Sequence, residues 1–135
     1  MQAQLIPFII SGDARAQAAF YIEAVGGEIH ALSTFGDAPG TPESSKDKVM
    51  HLSMTLAGGN TLIMSDAFQD AEPSANMGLS LFFDDEEAAR TAYRNLSAGG
   101  VEKYPFALQP WGNFYYGELV DRFGMTWQLA KQGQA

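Results

Sequence analysis

Apolar and polar positions follow one order twice along the chain. Near the start, "IPFIISGDARAQAAFYIEAVGGEIHALSTF" reads as an apolar strand, a helix opening at Ser11 to Asp13, a stop at Gly26 and Gly27, and a further strand. "GLSLFFDDEEAARTAYRNLSAGGVEKYPFAL" repeats this order, with Asp84 and Asp85 opening the helix and Gly99 closing it. Setting Phe20 on Tyr93 places Ala16 on Ala89, Ala19 on Ala92 and Gly26 on Gly99, a repeat about 73 residues apart. On this reading Ala16, Ala19 and Phe20 form the packing face of the first helix. Ala88, Ala89, Ala92, Tyr93 and Leu96 form that of the second.

Three strand-like runs follow each helix. In the first half they are "EIHALSTF", "VMHLSMTLA" and "NTLIMSD", with "GGN" at 58–60 as a hairpin turn. In the second they are "EKYPFAL", "NFYYGELV" and "MTWQLA", with "DRFG" as the turn. Two segments rich in Pro, Gly and Ser, 36–48 and 67–77, read as mobile loops. The pattern predicts an α+β fold of two βαβββ modules, about 1–66 and about 77–132, within a single domain spanning 1–135.

Composition narrows the functional classes. At 135 residues the chain can bury roughly two thirds of its unfolded surface, enough for a core and a ligand cavity. Sixteen acidic against eight basic residues give a net charge of −8, which repels phosphate backbones and anionic membrane surfaces, so neither nucleic acid nor membrane is an expected partner. The absence of Cys rules out disulfides and thiol chemistry, and "MQAQLIPFIISGD" has no export signature, so a cytoplasmic location is expected.

The duplicated order, "AFYIEAVGGE", "KVMHLSM", "LIMSD" and above all "WGNFYYGELVDRFGMTW" resemble the PhnB-like branch of the vicinal oxygen chelate superfamily, relatives of glyoxalase I and the bleomycin-resistance proteins. The resemblance covers nearly the whole chain. It implies two modules whose sheets curl into a cup with the helices outside, a small-molecule ligand in the cup, and a homodimer. Part of this group carries a demethylubiquinone methyltransferase name. That activity is discounted, because a methyl donor of nucleotide size needs a glycine-rich strand-to-helix turn that this chain lacks.

Superfamily enzymes hold a divalent metal through four side chains, and the resemblance places those positions on Ile6, Met64, Leu79 and Gln128. Three of these cannot ligate a hard cation, and the two histidines, His30 and His51, lie on different strands. No metal and no other cofactor is therefore expected. The cup lining is expected from Ile6, Phe8 and Ile10, from Leu79, Leu81 and Phe83, and from Thr126, Gln128 and Ala130, with Trp127 and Leu129 under the helices.

Candidate ligand-binding residues are then His51, Trp111, Tyr116, Gln128, Phe8, Met64 and Leu79. His51 shares a polar strand face with Ser53 and Thr55 and is the one group suited to proton exchange near neutral pH. Trp111, between Pro110 and Gly112, and Tyr116 offer flat surfaces for stacking, with an indole N–H and a phenol as donors. Asp66, Asp121 and Arg122 read as turn residues, and no catalytic set stands out, so whether the protein is an enzyme stays open. Three functions are carried forward: a metal-free small-molecule-binding protein of undefined chemistry, a metal-dependent lyase, isomerase or dioxygenase, and sequestration of a cationic aromatic drug.

Overall fold

The computed structural model describes residues 2–69, 76–110 and 112–133 and divides the chain into two compact units, Met1–Ala71 and Glu72–Ala135. The first contains β1 (Phe8–Ser11), α1 (Ala14–Val25), β2 (Gly27–Thr34), β3 (Val49–Leu56) and β4 (Asn60–Asp66). The second contains β5 (Gly78–Phe83), α2 (Glu86–Ser97), β6 (Val101–Leu108), β7 (Phe114–Val120) and β8 (Thr126–Gln132). The strand orders are β1-β4-β3-β2 and β5-β8-β7-β6. In each unit the first strand runs parallel to the last and the other pairings are antiparallel. The fold is thus α+β, a βαβββ module used twice.

The helix ends follow the predicted chemistry. The Asp13 carboxylate accepts from the Ala16 N–H at 3.1 Å and Asp85 from the Ala88 N–H at 2.8 Å, satisfying donors that a first turn leaves unpaired. Gly26, at φ 80°, ends α1, and Gly27 has no room for a side chain: a Cβ there would sit 2.0 Å from the Thr55 carbonyl oxygen.

The packing face of α1 differs from the one the spacing predicted. Ala14, Gln17, Ala18, Tyr21 and Ala24 are buried, whereas Ala16 and Ala19 are exposed and Phe20 is half-buried. Alanines and aromatics surround this helix on most sides, so apolar spacing alone does not select a face. Polar bonding does: the Ser11 hydroxyl donates to Gln17 Oε1 at 2.6 Å and Gln17 Nε2 donates to the Tyr21 hydroxyl at 2.8 Å, all three residues being buried. Tyr21, not Phe20, is therefore the counterpart of Tyr93, and the repeat is one residue shorter than the sequence alignment suggested. In α2, with charge on one side only, Ala89, Ala92, Tyr93 and Leu96 are buried as expected and only Ala88 is exposed.

Beneath α1 lie Ile9, Leu52, Met54, Leu56, Leu62 and Met64, and beneath α2 lie Leu119, Trp127 and Leu129, all buried. The face of each sheet away from its helix is its open face. The 36–48 segment is more tied down than its composition suggests. It carries two short 3-10 turns, Phe35–Asp37 and Glu43–Ser45, and the Thr41 hydroxyl lies in hydrogen-bonding range of the Phe35 and Ala38 carbonyls.

Asp66 is not a turn residue. Its carboxylate accepts from the Ala14 and Val49 N–H groups, both at 2.7 Å, joining the start of α1 to the start of β3. Asp121 does act in its turn, accepting from the Phe123 and Met125 N–H groups at 2.8 and 3.0 Å. Among the described residues no helix is long and apolar enough to cross a membrane.

Candidate functional site

The second unit concentrates polar side chains on its open face. Strand alternation along β7 sends Leu119 under α2 and Glu118 to the opposite side, where register places Glu118 opposite Gln128 of β8 and Tyr104 of β6. Gln128 in turn faces Ser80 of β5. The Ser80 hydroxyl donates to Gln128 Oε1 at 3.0 Å, and Gln128 Nε2 reaches Glu118 Oε1 at 3.5 Å. The Tyr116 hydroxyl donates to the same Oε1 at 3.1 Å. Lys103 Nζ lies 3.1 Å from Glu118 Oε2.

Lys103 reaches this place because β6 is irregular. Glu102 pairs with Leu119 and Tyr104 with Glu118, leaving Lys103 as an extra residue in the strand. Such a bulge re-aims side chains, so Lys103 and Tyr104 both approach Glu118 where strict alternation would separate them. A second irregularity follows between Tyr104 and Ala107, around Pro105, which an edge strand tolerates.

The Glu118 side chain is only 12% exposed, that of Lys103 56%. Burial works against ionisation of Glu118, but the bonds from Lys103, Tyr116 and Gln128 outweigh it and hold its pKa below the ordinary carboxylate range. Burial, followed by the bond to Glu118, raises the pKa of Tyr116, which stays a neutral donor. Tyr93 is anchored behind this strand, with its hydroxyl 2.9 Å from the Tyr104 carbonyl and 3.2 Å from that of Glu118. Burial, then Glu102, pushes its pKa up to about 12. A depression of about 300 Å³ adjoins the polar cluster, lined by Ser80, Lys103, Glu118, Thr126 and Gln128 together with residues 76–78.

The structure distributes the predicted ligand-binding residues unevenly. Gln128 and Tyr116 are in this cluster. Phe8 and His51 are exposed in the first unit, His51 opposite Ser33. Trp111 lies outside the described residues. Met64 and Leu79 are on the other side of their sheets from the one predicted. Met64 pairs with Ile9 and is fully buried under α1, and Leu79 pairs with Trp127 on the α2 side. Both side chains were expected in the cup, but pleat parity turns Met64 into the core and Leu79 to the α2 side of its sheet. Leu81 and Phe83 follow Leu79, so Ser80 and Phe82 line the open face of β5 instead.

Sequence reasoning passed over Glu118, Lys103 and Ser80. Glu118 was legible as the one acidic residue in an aromatic strand, in phase with Tyr116. The bulge that delivers Lys103 was signalled only by the proline two residues on.

The same placements test the superfamily's divalent metal. Ile6, Met64 and Leu79 bring aliphatic or thioether groups, Met64 fully buried and Leu79 on the α2 side of its sheet, and Gln128 brings an amide already bonded to Ser80 and Glu118. Among the described residues no group of three or more His, Cys, Asp or Glu side chains could hold a metal ion. The residues present do not fit such a cation.

Comparison with known proteins bears on the whole chain. Residues 3–130 match the family model described as 3-demethylubiquinone-9 3-methyltransferase. A crystal structure of a Pseudomonas aeruginosa protein is similar at 28% identity and TM-score 0.84, over 98% of this chain and 100% of that one. A Bacillus cereus PhnB protein, also described as a 3-demethylubiquinone-9 3-methyltransferase, is similar at 23% identity and TM-score 0.78, over 96% and 99%. The fosfomycin resistance protein FosX of Listeria monocytogenes shares the fold at 17% identity and TM-score 0.67, over 99% and 96%. No curated protein matches.

Proposed function

Since the chain belongs to the 3-demethylubiquinone-9 3-methyltransferase family, the PhnB-like branch of the vicinal oxygen chelate superfamily, we propose that it binds a small molecule on the open face of its second sheet without a resident transition metal. One observation carries this reading: Ser80, Gln128, Glu118, Tyr116 and Lys103 form a continuous hydrogen-bonded chain beside a depression of about 300 Å³. Ligand sites combine a few fixed polar groups with apolar surface. Here the apolar part is supplied by Met77, which lines the depression and is 72% exposed.

Methyl transfer from a nucleotide-sized donor, which the family description names, is not part of the proposal. The β1 to α1 turn has one glycine, Gly12, and the β5 to α2 turn is Asp84–Asp85. Both helix starts are already capped by carboxylates, Asp13 and Asp85, whose negative charge stands where a phosphate or carboxylate of a cofactor would have to approach.

A fragment collection titrated into ¹⁵N-labelled protein tests the reading. Binders are expected to shift the amide signals of Ser80, Lys103, Glu118 and Gln128. If every binder instead shifts signals elsewhere, the assignment of this face is wrong.

A further inference from the structure

We infer that the ligand of this face is an organic cation, an ammonium on a compact apolar body, and that Lys103 is the protein's own occupant of the cation subsite, to be displaced when the ligand enters. The inference rests on the reading of this face as the ligand site and adds the ligand's class. Its basis is where the Lys103 ammonium sits. Nζ is 3.1 Å from Glu118 Oε2 and 5.9 Å from the centroid of the Tyr104 ring, at the edge of the depression that Glu118 and Gln128 line. A carboxylate beside an aromatic face is the pairing that attracts an organic ammonium.

The two members of the ion pair differ in what they lose on separation. Lys103, more than half exposed on a flexible stem, regains water when it swings out. Glu118, at 12% exposed, cannot be rehydrated to the same degree and is left favouring whichever cation replaces it. Tyr116 and Gln128 hold Oε1 and orient the carboxylate so that Oε2 is the position open to exchange. Met77, which lines the depression, gives the ligand an apolar contact, which selects an organic cation over an inorganic one. The net charge of −8 draws cations towards the protein as a whole.

Three probes of one shape separate the possibilities: benzylamine, which is protonated at neutral pH, neutral benzyl alcohol, and anionic benzoate, each titrated at low salt with the Ser80 and Gln128 amide signals as readout. Wild-type protein is expected to bind benzylamine more tightly than benzyl alcohol. Lys103→Met should tighten benzylamine roughly fivefold, the scale of a largely exposed ion pair, and leave benzyl alcohol unchanged. Glu118→Gln should bind the two alike. Lys103→Gln, which keeps a polar side chain, should act as Lys103→Met does, and Lys46→Met, the same charge change in the first unit, should have no effect.

Should the probes shift these signals while Lys103→Met binds benzylamine no more tightly, or Lys46→Met tighten it equally, the cation inference fails and the site stands. A preference for benzoate that disappears in Lys103→Met also overturns it, making Lys103 an anchor for anions. If none of the probes moves the Ser80 and Gln128 signals, the cation inference fails, and the fragment titration decides separately whether the site itself survives.

Discussion

The Trp127 indole N–H donates to Asp121 Oδ2 at 2.9 Å inside the hairpin that joins β7 to β8. Asp121 is 3% exposed and its other oxygen takes the Phe123 and Met125 N–H groups, so one carboxylate organises a whole turn and fixes the tryptophan under α2. Asp121→Ala removes the acceptor of three donors, one of them buried. The expected loss is about 3 kcal/mol of unfolding free energy, read from chemical denaturation. Asp121→Asn should retain part of it, since an amide keeps only one acceptor oxygen. A loss below about 0.5 kcal/mol for the alanine variant, the scale of an ordinary surface change, would show that water replaces the carboxylate.

A second prediction concerns Gln17. As the link between the Ser11 and Tyr21 hydroxyls in the core of the first unit, it should cost about 1 to 3 kcal/mol when replaced by Ala. Ala16→Ser, one residue away on the exposed side, should be nearly neutral. Equal effects from the two would mean that α1 presents its other face to the sheet.

These two sites show what was legible in the sequence and what was not. Element order, both helix caps and the face of α2 followed from spacing, because charge on one side of α2 leaves a single face to bury. The face of α1 did not follow. Its alanines occupy several sides, and the side chain that selects the buried face is a glutamine, which hydropathy assigns to solvent. In the polar cluster, Gln128 was legible from its strand position and Tyr116 as an aromatic with a phenol donor. Met64 and Leu79 were lost to pleat parity, where an error of one residue exchanges core for open face. Lys103 was out of reach because its approach to Glu118 depends on an irregular strand, and alternation assumes a regular one.

The pH dependence of stability should carry a mark of Glu118. Its folded pKa lies below the ordinary value, so ionised Glu118 stabilises the fold above the unfolded-state pKa, and this contribution fades as the pH falls through the folded one. Glu118→Gln should therefore lower the neutral plateau of a stability profile and flatten its acid limb, so that variant and wild type converge at low pH. An unchanged acid limb, measured by urea unfolding at a series of pH values, would mean that the carboxylate is as well stabilised by water in the unfolded chain.

Metal content is a direct check on the donor set. Protein purified without added metal should hold far less than one Zn, Ni, Mn or Fe per chain, and a chelator should leave its melting temperature unchanged. One equivalent of any of these metals by elemental analysis, with a lower Tm after chelation, would reverse the conclusion drawn from Ile6, Met64, Leu79 and Gln128.

The parallel pairing of first strand with last has a consequence in time. Among the described residues, Phe8 to Ser11 pair with Ile63 to Asp66 and with no other strand, and Gly78 to Phe83 with Thr126 to Lys131 and with no other. Neither sheet can be completed until nearly the full length of its module has been made, and closing so long a loop has to precede the contacts that reward it. On the ribosome the first module can finish before the second has a last strand to offer. The order of synthesis then becomes the order of folding, and the opening strand of each module waits exposed until its partner emerges.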